Sequence, residues 1–549
     1  RPTRTCWPGL WSWCTRCDRG AFGAGAVTRP VSEAGALARP VHVAVVGGGI
    51  SGLAAAHRLR TLLGPGARIT LLDRAERLGG VLRTVDLAGV PMDVGAEAFL
   101  ARRPEVPALA AELGLTDRLA HPSGASATVR AGGRTIGLPG RTVLGVPGST
   151  ARLDDLLSPH ALARAGAERE LALDWDGADR SVGGLLRSRF GDELTDRLVD
   201  PLLSGVYAGR VDGLGLRATM PALAARLDAG ATSLTAAADT LLPPEPPPPP
   251  EPPPRESGVS SGRVGESVSR DSVSAAEPGR PAPVFGAVRG GYRVLLDALR
   301  EAAGAEIRLG LPVRELTRRP SGWRLEVGTA IAPEALDVDA VLLAVPAPSV
   351  RRLLDTLAPR AARAAAAVEL ASPVVVALAY RADDAARLPL SSGLLIAADE
   401  PFSAKAFTHT ARKWPHLAPT ATDGLVRLRA SLGRAGADLD TAAELRVPDD
   451  ELVARVRADL ATLTGITAAP VAVHVQRWGG GLPQYGVGHG ELVGELEAAV
   501  AELPGLAVAG AMLHGVGVPA CLATAQAAAA RIVADLTRRA AAPGGSMAV

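Results

Sequence analysis

The chain has 549 residues, several times what one hydrophobic core requires, so two or three domains are expected. Hydrophobic residues make up 47% and charged residues 21%, a composition typical of a soluble globular protein and not of a disordered one. The formal net charge of +2 gives no electrostatic reason to expect binding to nucleic acid or to an acidic membrane surface.

Residues 1–40 lack hydrophobic periodicity and the continuous apolar core of a secretory signal, so we expect a disordered or misassigned N-terminal extension. Cys14 and Cys17 have the spacing of half a zinc site, but no second pair or nearby histidine completes it, and we expect no metal. After residue 17 the only cysteine is Cys521, which excludes a disulfide framework in the body of the chain and favours a cytoplasmic location.

A strand–helix–strand pattern begins near residue 41. The apolar run 41–46 predicts a strand, a glycine-rich segment follows, and 68–72 predicts a second strand that ends on Asp73. The glycine-rich segment fits G-x-G-x-x-G, the pattern of a dinucleotide site. Its glycines allow a tight turn, the approach of a pyrophosphate and close helix packing. The predicted cofactor-binding residues in this segment are Gly47, Gly49, Ile50, Ser51 and Gly52. Asp73 is expected to accept hydrogen bonds from ribose hydroxyls, which predicts a cofactor without a 2′-phosphate.

A glycine doublet follows the second strand. Gly79 and Gly80 allow the backbone to lie close to the flavin side of a dinucleotide, and Arg77 is expected to offset phosphate charge. The spacing Asp73-x-x-x-Arg77-x-Gly79-Gly80 resembles the second glycine signature of the amine oxidase and protoporphyrinogen oxidase flavoproteins. That resemblance favours FAD over NAD.

Leucine-rich segments predict a helical domain over 151–242, with Ser181 as a helix N-cap. The stretch 243–283 is rich in proline and is predicted to be a disordered linker. Order resumes at 284, and a strand predicted over 309–316 includes Val313, which we assign to the cofactor site. Further strands are predicted over 338–347, 372–381 and 393–398, and an amphipathic helix over 449–463.

The segment 503–530 contains no Asp, Glu, Lys or Arg. Because it holds several glycines and prolines, we predict a buried strand, a glycine turn and an alanine-rich helix instead of a membrane span. The turn is expected to face the cofactor, through Gly510, Gly515, Val516, Gly517 and Val518. Cys521 is predicted to be a packed thiol and not a point of flavin attachment.

Over nearly all of 41–537 the chain resembles the protoporphyrinogen and coproporphyrinogen III oxidase family. The resemblance depends on DVGAEAFLARRPE (93–105), DPLLSGVYAG (200–209), KWPHL (413–417), RWGGGLPQYGVGH (477–489) and the terminal GVGVPAC. It implies FAD as cofactor and the oxidation of a porphyrinogen to a porphyrin, with O2 as electron acceptor and peroxide as product. Coproporphyrinogen III is expected as substrate, because no convincing membrane segment is present and coproporphyrinogen III is the more water-soluble porphyrinogen.

The expected fold class is α/β, with a Rossmann-like FAD-binding domain assembled from 41–100, 284–350 and 500–537. A mixed α/β substrate-binding domain is predicted over 101–150 and 351–499. Porphyrinogens carry propionates, and the family resemblance places Arg102 and Arg103 where a substrate carboxylate binds. No general base is assigned to any histidine, and Lys405 and Lys413 are expected to have surface or packing roles.

Several alternatives remain open. They are a protoporphyrinogen IX oxidase, a flavin amine oxidase or desaturase, and a flavin- or porphyrin-binding partner protein without turnover. A downstream chelatase is a possible partner for the product, and the sequence does not indicate an oligomeric state.

Overall fold

The protein is described by a computed structural model over residues 40–244, 283–436 and 442–541. The predictions for residues 1–39, including the Cys14 and Cys17 pair, lie outside the described residues. The prediction of a disordered linker also lies outside them over 245–282.

The strands are short, and most belong to one of two large sheets. Numbered in chain order, they are β1 His42–Val46, β2 Arg68–Leu72, β3 Thr84–Leu87, β4 Val90–Asp93, β5 Phe99–Leu100, β6 Leu119–Ala120, β7 Thr128–Ala131, β8 Arg134–Gly137, β9 Thr142–Val143, β10 Val146–Pro147, β11 Phe285–Val288, β12 Glu306–Arg308, β13 Val313–Arg319, β14 Gly322–Gly328, β15 Pro333–Val338, β16 Ala340–Leu343, β17 Leu370–Ala371, β18 Val374–Arg381, β19 Gly393–Ile396, β20 Ala404–Thr408, β21 Leu425–Leu432, β22 Ala472–Arg477, β23 Leu482–Pro483 and β24 Leu506–Val508.

The helices lie between and around these sheets. In chain order they are α1 Ile50–Leu63, α2 Glu105–Glu112, α3 Pro159–Gly166, α4 Val182–Phe190, α5 Asp192–Leu194, α6 Asp200–Tyr207, α7 Leu216–Thr219, α8 Pro221–Asp228, α9 Leu234–Asp239, α10 Tyr292–Ala303, α11 Ala347–Leu354, α12 Pro359–Ala366, α13 Thr410–Lys413, α14 Ala443–Arg446, α15 Asp449–Thr464, α16 His489–Ala501 and α17 Val518–Ala541. No described helix is both long enough and apolar enough to cross a lipid bilayer.

A five-stranded sheet of order β12-β2-β1-β16-β24 forms the centre of the cofactor-binding part, and all of its strand pairs are parallel. Alternate residues of β1 enter different cores. Val43 and Val45 pack under α1, α10 and α17, while Ala44 and Val46 pack against β13–β15, α11, α12 and α16. Because both faces are buried, the strand is a continuous apolar run without polar alternation.

A seven-stranded sheet of order β22-β18-β21-β20-β19-β7-β8 forms the second part of the molecule. Strand β18, next to the edge strand β22, is buried at every position except Arg381, and α15 packs on one face. The segment from α3 to α9 is largely helical, and with strand β7 it forms a core around Phe190, Leu203 and Leu223. Ser181 caps α4 by accepting a hydrogen bond from the amide of Gly184 at 3.1 Å.

Two boundaries differ from simple readings of the sequence. The strand predicted over 309–316 begins only at Val313, because Pro312 offers no N–H for a sheet and Gly310 has a φ of +68°. Helix α2 contributes Val106 and Leu109 to the core under the five-stranded sheet, whereas β7 and β8 join the seven-stranded sheet. The division into domains given above stays a prediction.

Candidate cofactor site

A cavity of about 550 Å³ opens at the carboxyl ends of β1, β2 and β16. Ligands bind at this edge in parallel α/β sheets, because the strand-to-helix loops converge there. The predicted cofactor residues that line the cavity are Gly47, Gly49, Ile50, Ser51, Asp73, Arg77, Gly79, Gly80, Val313 and Gly510. The remaining predicted residues, Gly52, Gly515, Val516, Gly517 and Val518, lie behind it or in the turn that enters α17.

The first glycine loop has the shape that a pyrophosphate requires. Gly47 has a φ of +110°, and a Cβ there would overlap the carbonyl oxygen of Ala344. A Cβ at Gly52 would overlap the carbonyl oxygen of Gly47, so only glycine lets α1 pack this closely against the loop. At Gly49 an added Cβ would meet only the Cα of Gly80, at 3.9 Å, and would otherwise point into open space.

The N-terminus of α1 is free to bind an anion. No side chain caps it, and its first turn contains no acidic residue. The first amides of a helix have no partner within the helix, and the helix dipole places positive charge there. These amides therefore suit the phosphates of a dinucleotide.

Asp73 fixes the loops around it and still has capacity to bind a ligand. One of its carboxylate oxygens accepts the amide of Gly48 at 2.5 Å, and the other accepts the amide of Ala75 at 2.7 Å. A carboxylate can accept about four hydrogen bonds, so each oxygen retains a lone pair for a ribose hydroxyl. The residues present thus fit the adenosine half of FAD.

The second glycine loop crosses directly over the first. The amide of Gly79 donates to the carbonyl of Gly48 at 2.8 Å, and Gly79 and Gly80 have φ values of +105° and +58°. Arg77 donates three hydrogen bonds to backbone carbonyls of this loop, to Leu78 at 3.0 Å, Gly80 at 2.7 Å and Leu82 at 3.2 Å. Arg77 therefore holds the loop closed as well as placing positive charge beside the cavity.

One wall of the cavity was not predicted from the sequence. It is formed between β22 and β23 by Gln476, Arg477, Trp478, Gly479, Gly480, Gly481 and Pro483. The indole of Trp478 donates to the carbonyl of Val94 at 3.0 Å, and a Cβ at Gly95 would lie 3.2 Å from its ring. The only available signal was the glycine run in RWGGGLP, and its partner segment lies far away in the chain.

The C-terminal segment closes the cavity through Gly510, Ala511, Met512 and Cys521. Cys521 is 5% exposed, and burial raises the pKa of its thiol to about 11. The thiol is therefore protonated at neutral pH.

A buried charged cluster lies behind the 93–97 segment. Glu97 accepts a hydrogen bond from Lys413 at 2.6 Å and pairs with Arg429 at 3.2 Å. Burial opposes ionisation of Glu97, but Arg429 and Lys413 outweigh it and lower its pKa to about 2. Burial raises the pKa of nearby Asp93 to about 6. Lys405 is buried separately, and burial lowers its pKa to about 7.

The two expected substrate arginines lie outside the 550 Å³ cavity, in the turn after β5. The guanidinium of Arg103 donates through Nε and Nη2, along one edge, to the carboxylate of Glu105. Three histidines have protein partners in the structure. His409 contacts the carbonyl of Ser391, His489 the carbonyl of Leu513, and His514 the carboxylate of Glu497.

The parallel sheet, the crossed glycine loops and Asp73 together define a dinucleotide-binding flavoprotein. A family model described as flavin containing amine oxidoreductase matches residues 50–533. Coproporphyrinogen III oxidase of Mycobacterium tuberculosis (strain ATCC 25618 / H37Rv) is 43% identical over 498 residues, which cover 90% of this chain and 98% of that protein. The enzyme of the same name from Bacillus subtilis (strain 168) is 28% identical and covers 89% of this chain and 97% of its own length.

Solved structures agree with these relatives. A putative protoporphyrinogen oxidase from Exiguobacterium sp. 255-15 superposes with a TM-score of 0.72 at 28% identity, over 90% of this chain and 99% of that one. Cyclohexylamine oxidase from Brevibacterium oxydans shares the fold, with a TM-score of 0.62 at 16% identity over 90% of this chain and 99% of its own. The chain belongs to the flavin-containing amine oxidoreductase family, on the branch of the protoporphyrinogen and coproporphyrinogen III oxidases, and is an FAD-dependent oxidoreductase. The expected α/β fold class and the expected cofactor are confirmed.

Proposed function

We propose that this chain oxidises coproporphyrinogen III to coproporphyrin III in haem biosynthesis. The observation that carries the proposal is the 43% identity to a coproporphyrinogen III oxidase over 90% of the chain, on a structure with a dinucleotide cavity. The reaction removes six hydrogens from the macrocycle. Three molecules of O2 take them up and leave as three molecules of hydrogen peroxide, which balances atoms and electrons.

Bound FAD supplies the hydride acceptor and returns electrons to O2, while the protein binds, orients and shields the reactants. Asp73 and the amides at the start of α1 would hold the adenosine and pyrophosphate. Trp478 lines one side of the cavity and is held there by its hydrogen bond to Val94 and its close packing on Gly95, so it would shield that side of the bound cofactor.

Arg102 and Arg103 are the proposed partners of the substrate propionates. A guanidinium binds a carboxylate through two parallel hydrogen bonds, which suits a substrate with four such groups. Because Glu105 already binds Arg103, a propionate must displace or share that partner. Replacing either arginine by alanine should raise KM and leave the FAD content unchanged. Unchanged kinetics in both variants would remove them from the site.

The decisive experiment is aerobic turnover of the purified flavoprotein with coproporphyrinogen III and protoporphyrinogen IX in parallel. Porphyrin fluorescence and hydrogen peroxide are recorded together, with an amine and a carotenoid precursor as further substrates. Faster formation of coproporphyrin, with one peroxide for each pair of hydrogens removed, is the expected result. Preference for protoporphyrinogen IX, oxidation of the amine or desaturation of the carotenoid precursor would each reassign the substrate. A flavoprotein inert toward all four would contradict the proposal.

A metal-inserting chelatase is the partner that we propose for the product, because coproporphyrin is the form of the macrocycle that can accept a metal ion. If the product passes directly from one enzyme to the other, an excess of an apoprotein that binds free porphyrin should not change the coupled rate of porphyrinogen oxidation and metal insertion. Loss of the coupled rate in the presence of the trap would show release into solution.

A further inference from the structure

Tyr485 and His489 are stacked beside the C-terminal segment of the cofactor cavity. Their ring centroids are 3.8 Å apart and their planes differ by 16°. Both side chains are buried, at 2% and 3% exposure, and neither lines the cavity itself. Any effect of this pair on the cofactor must therefore act through the residues that it holds.

The pair binds three alternate residues of the loop 510–517, which lies between β24 and α17. The hydroxyl of Tyr485 donates to the carbonyl of Ala511 at 2.6 Å and accepts the amide of Gly515 at 2.8 Å. His489 contacts the carbonyl of Leu513 through Nε2 at 3.0 Å. Since a carbonyl only accepts, Nε2 must carry the proton.

These bonds matter because the loop has no regular secondary structure of its own. It begins at Gly510 with a φ of +126° and turns again at Gly515 with a φ of +145°. Between these points Ala511 and Met512 face the cavity. The loop is also bound at its start, where the amide of Gly510 donates to Thr524 at 3.1 Å, and through the exposed pair of His514 with Glu497. The three hydrogen bonds from Tyr485 and His489 are the ones that fix its middle, next to Ala511 and Met512.

The segment that carries the pair is itself anchored in the helical region. The carbonyl of Tyr485 accepts the amide of Gly215 at 2.8 Å, and Gln484 donates to the carbonyl of Tyr207 at 2.6 Å. On the far side, the amide of Gly488 donates to Asp179 at 2.9 Å. Segment 484–489 therefore connects the helical region to the cofactor loop.

We propose that Tyr485 and His489 are positioning residues for FAD, which hold the loop 510–517 in its binding shape and link it to the helical region. Burial raises the pKa of the Tyr485 hydroxyl, which keeps it a donor, and lowers the pKa of His489, which keeps it neutral. The inference concerns cofactor binding and does not depend on which porphyrinogen is oxidised.

The first test is Tyr485→Phe, which removes both hydroxyl bonds and keeps the ring. The FAD dissociation constant is measured by fluorescence titration of deflavinated protein. The visible circular dichroism of the bound flavin reports changes in the protein environment around it. We expect the dissociation constant to rise about tenfold or more, because a buried amide and a buried carbonyl lose their partner. Tyr207→Phe is the matched control, since the Tyr207 ring packs on Tyr485 but its hydroxyl bonds none of the described residues.

A second pair of variants separates the hydrogen bond from the stacking. His489→Phe keeps an aromatic ring without a donor, whereas His489→Gln keeps an N–H donor without the ring. We expect weaker FAD binding in the phenylalanine variant and near-normal binding in the glutamine variant. The two His489 variants also test the proposal if Tyr485→Phe does not fold.

Dissociation constants and flavin dichroism within twofold of wild type in Tyr485→Phe and His489→Phe would overturn the proposal. Equal weakening by Tyr207→Phe would overturn it as well, because packing alone would then explain the effect. No porphyrinogen is present in these measurements, so their failure is distinct from failure of the proposed function.

Discussion

An added methyl group should change the free energy of unfolding in opposite directions at two glycines of the same motif. Gly49 has φ −72° and ψ −178°, which alanine adopts freely, and its Cβ would meet only Gly80, at 3.9 Å. Gly49→Ala should therefore keep or raise the free energy of unfolding of the FAD-free protein, by up to about 1 kcal/mol, because the unfolded chain loses entropy. Gly52→Ala should lower it by about 1–3 kcal/mol, since its Cβ overlaps a backbone carbonyl that cannot rotate away.

Both variants should nevertheless bind FAD less well. The Cβ at Gly49 enters the cavity where the pyrophosphate is expected, so the dissociation constant should rise roughly tenfold or more, about 1.4 kcal/mol. Urea unfolding of the FAD-free protein and FAD titration give the two quantities separately. Gly66→Ala is the control, because its Cβ meets nothing within 4 Å and lies away from the cavity. If Gly49→Ala unfolds as easily as Gly52→Ala, or binds FAD like wild type, the assignment of the glycine loop is refuted.

Three further outcomes are expected. Asp73→Asn should raise the FAD dissociation constant by about tenfold, since charge-assisted hydrogen bonds contribute about 1.5–3 kcal/mol, while Asp86→Asn, at an exposed position of β3 away from the cavity, should leave it unchanged. Glu97→Gln should lower the free energy of unfolding by about 3–5 kcal/mol, because it removes the buried carboxylate that neutralises the partly buried cations of Lys413 and Arg429. The folded pKa of Glu97, about 2, lies below the unfolded 4.5, so this stabilisation is present above pH 4.5 and is lost as the pH falls toward 2; an unchanged acid-side slope in the variant would contradict it. Gly494→Ala, inside α16, should raise the free energy of unfolding by about 0.5–1 kcal/mol with unchanged FAD affinity, because an added Cβ has open space.

The first cofactor loop could be predicted because its chemistry is local. Gly47, Gly49 and Asp73 lie within one strand–helix–strand unit, and each position follows from backbone conformation or from strand order. The terminal strand–turn–helix was predicted for the same reason, since glycine and proline interrupt the apolar run between β24 and α17.

The cavity wall that contains Trp478 could not be predicted, because it depends on a contact with Val94, which lies 384 residues away in the chain. The same limit applies to Tyr485, whose hydroxyl partners lie in another segment. The roles predicted for the charged residues were also incomplete. Arg77 donates three hydrogen bonds to its own loop, and Lys413 pairs with the buried carboxylate of Glu97, and neither contact is indicated by a sequence pattern.

The cofactor cavity is assembled from opposite parts of the chain, and this imposes an order of events during synthesis. Gly47 and Gly510 face the same space but are more than 450 residues apart. At roughly 5–20 residues per second, a ribosome needs on the order of half a minute or longer between them. During that interval the apolar faces of β1 and β2 lack the cover that α17 later provides, and transiently exposed apolar surface of this kind favours aggregation. The cavity is complete only in chains synthesised past Gly510.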